Sequence, residues 1–383
     1  MLFLFDKYMK IGIYTLPLRY NYGGILQAWA LQTVLKRMGH NVVTFDPCPY
    51  LNLSWQYKPI VYARRIIKKI LGLPVDFHYE RTYNMIHDIK MQNLQPFIKN
   101  NINRREFLRP YDLNPYDYDI LIAGSDQVWR PQYNCSYKRK IDNAFFDFAE
   151  CWDVVRIAYA VSFGTDSWEY SKRETSRCSK LAKLFAAISV REKSGIKFCE
   201  DYLGVNATHV LDPTLLLDRK DYEDLIINGQ QTHAPLGNLL CYLLDETEDV
   251  ISLVNRIAQE KQLIPFRANS KVENKDAPVE EKIQPPVEQW LRNFKDASFI
   301  VTDSFHACVF SVIFNKPFIV VGNVARGLSR YESFLSDLNL MDNLLYSVSD
   351  YDPQKKYNIN LKTKTVLSKM RYESINFIKN SIS

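Results

Sequence analysis

Two rhythms of apolar positions alternate along the chain. Short runs of buried-strand length recur at KIGIYT (10–15), VVTFD (42–46), DILIAGSDQVW (119–129) and RIAYAVSFG (156–164). They return at NLLCYLLD (238–245), SFIVTDS (298–304) and PFIVVG (317–322). Between them, GILQAWALQTVLKRM (24–38), DVISLVNRIAQEKQL (249–263), VEQWLRNFKDA (287–297) and HACVFSVIF (306–314) carry apolar residues at helical spacing. Gly39 sits where a helix C-cap belongs. Strand, helix and strand within about 35 residues make a βαβ unit with a parallel sheet. KLFAAISVREKSG (183–195) reads as a helix end and a strand, and KTVLSKMRYESINFIKN (364–380) as one long helix. HVLDPTLLL (209–217) carries Asp212-Pro213, which marks either a turn or a domain crossing. The polar stretch 269–286 reads as a loop.

Two such series predict an α/β protein of two doubly wound, Rossmann-like domains facing a cleft. The expected division is an N-terminal domain at 9–200, a C-terminal domain at 201–360 and a terminal helix at 361–383. A chain of 383 residues is too long for one ordinary core. Residues 47–118 are polar, aromatic and basic and read as an irregular or helical insertion in the first domain. Within it, VYARRIIKKILG (61–72) is amphipathic, with Arg64, Arg65, Lys68 and Lys69 opposite Ile66, Ile67, Ile70 and Leu71.

Composition narrows the class. A 46% apolar and 24% charged chain is not a disordered one. A net charge of +6 is too mild for a nucleic-acid binder, and it suits an anionic small substrate or an anionic membrane surface equally. The seven cysteines are isolated, with no C-x-x-C, which argues against a disulfide framework or zinc ribbon and for a reducing, cytoplasmic setting. No constellation of metal ligands is expected. No uncharged apolar run reaches about 18 residues, so no membrane-spanning helix is expected. The opening MLFLFDKY is too short and too acidic at its end for a signal peptide, and residues 1–8 read as an extension ahead of the strand that begins at Met9.

The candidate chemistry lies in IVTDSFHACVFSVIFNKPFIVVG (300–322), where Thr302, Asp303, Ser304 and His306 interrupt two apolar runs. Buried without partners, such groups cost free energy. In open α/β sheets ligands sit beyond the carboxyl ends of strands, and His306 falls in the first turn of the helix after such an end. Ser304 or Asp303 could cap that helix, whose free N–H groups attract an anion. The alternative is a capping serine and a packed histidine. Downstream, Ser329 and Glu332 have capping-box spacing, which places Arg330 at a helix start and Arg326 four residues earlier. Helix stability does not call for arginines there, whereas a phosphate or carboxylate would; two solvated arginines are the other reading.

These residues, in VTDSFHACVFSVIFNKPFIVV with RGLSR, together with NYGGILQAWALQTVLKRMGHNVV, AGSDQVW and YAVSFG, resemble the polysaccharide pyruvyl transferases, bacterial surface-polysaccharide branch, in order and spacing over roughly 9–345. The resemblance implies a fold similar to the glycosyltransferase B type. It also implies transfer of pyruvate from phosphoenolpyruvate to a sugar as a cyclic ketal, with phosphoenolpyruvate as co-substrate and no other cofactor. The family's catalytic histidine carries over to His306 and its basic donor positions to Arg326 and Arg330. Ala307 departs from the family, where Gly is common. The acceptor would be a saccharide on the N-terminal domain, free or lipid-linked, with the donor on the C-terminal side.

In that light Asn21, Gly23 and Gly24 of NYGG let backbone approach a ligand, or form a plain strand-to-helix turn. Asp126 and Gln127 of GSDQVW could contact the acceptor, Asp126 as a base toward a hydroxyl, and Trp129 could stack on a sugar; all three could equally be structural. Arg191 faces either the cleft or the neighbourhood of Glu192. His306 is either the general acid or the group that holds departing phosphate. Helix 61–72 is either an ordinary surface helix or one that docks peripherally on the inner membrane face. A nucleotide-sugar glycosyltransferase and a non-catalytic saccharide binder are the rival readings.

Overall fold

The computed structural model describes residues 8–134, 140–272, 274, 276–322 and 327–383. Seven parallel strands form the first sheet, in the order β3-β2-β1-β4-β5-β6-β7. Their ranges are β1 Lys10–Tyr14, β2 Asn41–Pro47, β3 Arg104–Phe107, β4 Ile120–Ala123, β5 Val155–Val161, β6 Ala187–Val190 and β7 Thr208–His209. The second sheet is also parallel and has the order β12-β11-β10-β8-β9. Its strands are β8 Leu239–Tyr242, β9 Pro265–Arg267, β10 Phe299–Thr302, β11 Phe318–Val321 and β12 Leu344–Leu345. Strands β4, β8, β10 and β11 are buried along their whole length, as expected of parallel sheets covered on both faces. The order reverses between β1 and β4 in one sheet and between β8 and β10 in the other, so the two crevices for ligands lie at those strand ends.

The first sheet runs on past residue 200 to include β7, which pairs with β6. Insertion 47–118 contains three helices, α2 Lys58–Ile70, α3 Tyr79–Met91 and α4 Gln95–Asn101, and also the edge strand β3. Strand β3 reads RREF, too short and too charged to announce itself, as suits a sheet edge.

Helix α1 (Tyr22–Arg37) explains how the domains meet. It is buried nearly all round, with no polar face to give to water. One side covers the first sheet and the other enters the second domain. There the Tyr22 ring stacks on Trp290 at 5.1 Å, and Trp29 meets Tyr222 edge-on at 5.5 Å. Trp290 belongs to α9 (Val287–Asp296) and also packs on Phe310 of α10 (Phe305–Ile313). A continuous apolar core therefore runs from β1 and β4 through α1 to β10 and α10. The expected cleft is closed at this end by shared packing. The terminal helix α12 (Leu361–Ile382) crosses back to the first domain: Ser374 Oγ accepts from Leu211 N–H at 3.0 Å, and Arg371 donates to the Leu215 carbonyl at 2.6 Å.

Trp290→Ala should lower stability by about 3–5 kcal/mol, the cost of removing a large buried ring whose cavity cannot collapse. Because the core is shared, denaturant unfolding followed by far-ultraviolet circular dichroism and by fluorescence should remain one coincident transition.

Candidate active site

At the carboxyl end of β7 the chain turns through Asp212-Pro213 into a short 3-10 helix, Pro213–Leu216. Asp212 is 2% exposed and its carboxylate is fully engaged. Oδ1 accepts from Thr214 N–H (3.0 Å) and from the Thr214 hydroxyl (2.7 Å). Oδ2 accepts from Ser125 Oγ (3.1 Å), just past β4, and from Arg191 Nη1 (2.9 Å), just past β6. The same Oδ2 lies 3.6 Å from Nε2 of His306, which comes from the other domain. That is ion-pair range and beyond a hydrogen bond. Among the described residues His306 Nε2 is a buried nitrogen without a hydrogen-bond partner. Burial alone would push the Asp212 carboxyl up, but His306 and Arg191 outweigh it and hold it well below the usual carboxylate range.

His306 stands in the first turn of α10, as its spacing predicts, and is buried. Gly23, in the first turn of α1, packs against its ring: a Cβ there would overlap the imidazole at Nδ1 and Cγ. Gly24 lies beside Asp126, and Asn21 caps α1 by accepting from Gly24 N–H (3.3 Å). The two helix starts therefore meet across the domains with only a glycine between them. Asp126 is buried in the left-handed region (φ 69°), which an aspartate tolerates better than most residues. Its Oδ1 is 3.4 Å from Arg191 Nη2. Arg191 opposes burial by its pairing with Asp212 first, then Asp126 and Glu192, so its charge is reinforced. Its guanidinium lies 4.6 Å over the Phe305 ring.

Arg330, in α11 (Ser329–Asp337), reaches the same ring at 5.8 Å and is buried. Burial, and next among the opposing influences the like charge of Arg191, push its guanidinium below the ordinary value. One guanidinium from each domain thus converges on Phe305, next to His306.

Several sequence expectations need correction. Trp129 is fully buried, stacked on Phe145 at 4.3 Å and donating Nε1–H to the Ala144 carbonyl, so it has no face for a sugar. Gln127 accepts from Arg130 and packs against Gly164, a structural position. Ser304 occupies the N-cap position but its hydroxyl does not cap. The Asp303 carboxylate accepts from Leu244 and Asp245 N–H (2.7 and 2.8 Å) and clamps the end of β8 to β10. The Ser329–Glu332 capping box does not form, and Glu332 accepts from the Tyr346 hydroxyl instead. Arg326 lies outside the described residues. Asp212 joins this cluster without being among the residues the sequence singles out, and Arg191 faces it rather than only Glu192. A carboxylate and an arginine, each just past a buried strand in a parallel sheet, were the available signal. A 590 Å³ cavity lies elsewhere, lined by Tyr50, Leu53, Arg109, Tyr111 and others.

Two parallel α/β domains with facing strand ends define a fold of the glycosyltransferase B type. The chain is similar to the solved structure of Arabidopsis thaliana UGT89C1 complexed with UDP-L-rhamnose, at 10% identity, covering 98% of this chain and 99% of that one, with a TM-score of 0.50. It is also similar to a UDP-GlcNAc 2-epimerase from Methanocaldococcus jannaschii, at 12% identity, 95% and 99% coverage and a TM-score of 0.43. Identities this low speak for fold alone. No curated protein matches the sequence. The family model for polysaccharide pyruvyl transferase matches residues 21–323, and the chain belongs to that family.

Asp212→Asn should cost about 3–5 kcal/mol at neutral pH, because it leaves buried Arg191 and His306 short of a counter-charge. The folded-state value of Asp212 is depressed, so its stabilisation is present above the unfolded value of about 4 and is lost as pH falls toward the lower folded value. Urea unfolding across acidic pH should therefore show a shallower decline for the variant than for the native chain.

Proposed function

We propose that this protein transfers pyruvate from phosphoenolpyruvate to a hexose of a surface-polysaccharide precursor, forming a cyclic ketal and releasing phosphate. The observation that carries the reading is the partnerless Nε2 of His306, 3.6 Å from buried Asp212, with Arg191 and Arg330 close by on Phe305. Phosphoenolpyruvate carries a phosphate and a carboxylate, and two guanidiniums supply the matching charge. The reaction moves two protons. One goes to the methylene carbon, which becomes a methyl group while one sugar hydroxyl bonds to the adjacent carbon. A second hydroxyl then bonds to that carbon, phosphate leaves with the C–O electron pair, and the second hydroxyl proton leaves with it.

His306 is the proposed donor of the first proton, and it is restored by the proton of the attacking hydroxyl. Asp212, 3.6 Å from Nε2, orients the ring. Asp126 is the proposed base toward the second acceptor hydroxyl, whose proton it passes to the departing phosphate. Asn21 and Gly24 belong to the acceptor-side helix start, and Arg326 remains a proposed donor contact. No further cofactor is required by this chemistry.

The test is a phosphate-release screen with phosphoenolpyruvate and galactose, glucose and N-acetylhexosamine acceptors, free and lipid-linked. Phosphate release that depends on one acceptor supports the reading. Release of nucleotide from a sugar nucleotide with none from phosphoenolpyruvate would make the protein a glycosyltransferase, and saccharide binding without either release would make it a binder. His306→Gln should lower turnover by about 10²–10⁴-fold, and undiminished turnover would remove His306 from the mechanism. Gly23→Ala keeps every ionisable group yet displaces the imidazole, and should cost on the order of 10²-fold in kcat.

A further inference from the structure

Helix α2 is turned inside out relative to an ordinary surface helix. No residue of it is buried. It meets the rest of the protein along a line through half-buried Val61 and Arg65 and on to Lys69: Arg65 pairs with Glu80 at 2.6 Å and donates to the Phe77 carbonyl at 2.9 Å, and Lys69 lies 5.2 Å over the Phe77 ring. The apolar side faces away from the protein. Ile60, Ile66, Ile67, Ile70 and Leu71 are each at least half exposed, Ile70 at 78%. A patch like this marks an interaction site.

The surrounding charge selects the occupant. From Pro47 to Val75 the chain holds Lys58, Arg64, Arg65, Lys68 and Lys69 and no acidic residue. Two copies of such a surface would bring like charges together. An anionic lipid surface would instead complement Arg64 and Lys68, which border the apolar stripe. Trp55 and Tyr57, at the helix entrance, are 76% and 60% exposed, and such rings favour the level of lipid headgroups. Thirteen residues give a helix of about 20 Å, too short to cross a bilayer and long enough to lie in its interface.

We propose that α2 is a peripheral membrane anchor whose Ile60–Leu71 face enters the interface of an anionic bilayer, with Arg64 and Lys68 at the phosphate level. The anchor is independent of the reaction catalysed, so its test requires no turnover.

The full-length protein is sedimented with phosphatidylcholine vesicles that contain or lack phosphatidylglycerol. The native chain should bind the anionic vesicles and be released by salt. Arg64→Gln with Lys68→Gln should weaken binding by on the order of 25-fold, about fivefold per charge. Ile67→Asp with Ile70→Asp should abolish it, with the thermal transition unchanged because both positions are exposed. Native-level binding by the double aspartate variant, or no binding by the native chain, would overturn the proposal. So would a concentration-dependent dimer of the native chain that Ile67→Asp with Ile70→Asp dissolves, since the occupant would then be a second copy.

Discussion

The site depends on one carboxylate. Asp212 takes four hydrogen bonds from Ser125, Arg191 and Thr214 and leaves its remaining influence to His306. Three strand ends of the first sheet, those of β4, β6 and β7, are thus tied to a single pair of oxygens. A buried charge of this kind is stable only while every partner is present. The same requirement places Arg191 between Asp212 and Asp126 and brings its flat face over Phe305. His306 meets this assembly from the second domain, so its electrostatic setting is supplied largely by residues of the first.

That arrangement makes domain packing part of the chemistry. Helix α1 carries the glycine that admits the imidazole and is itself buried between the sheets. The second domain comes close again where Gly327 (φ 85°) rests on the Gly164 carbonyl, a contact a Cβ would obstruct. His306 is buried, and charges so enclosed interact more strongly than they would in solvent.

The alternation of strand and helix was readable because buried parallel strands such as ILIA and FIVT are uniformly apolar and their helices keep a helical period. His306 and Gly23 were readable because polar and glycine residues at strand-to-helix junctions have few structural reasons to be there. Other features depended on distance in space. Nothing local to HVLDPTLLL says that Asp212 faces a histidine 94 positions away. Trp129 in GSDQVW is open to either a sugar-stacking or a structural reading from sequence, and the chain folds it back among Phe145 and Phe163. Strands β3 and β7 were obscured because edge positions relax the demand for apolar residues. For α2 the amphipathic pattern was plain, but which face met the protein was not. Pairing of Arg65 with Glu80 decided that, and it inverted the usual arrangement.

The two guanidiniums on Phe305 join the two domains at the site. Arg191 belongs to the first sheet's strand ends and Arg330 to the second domain, and the charge of Arg191 adds to burial in lowering the Arg330 guanidinium's affinity for its proton. Asp212 and Asp126 compensate Arg191, whereas for Arg330 burial is the leading unfavourable influence. An anion with two acidic groups, as in the proposed donor, would place complementary charge beside both guanidiniums when both domains contact it at once, which gives a physical reason for a doubly acidic donor at this site.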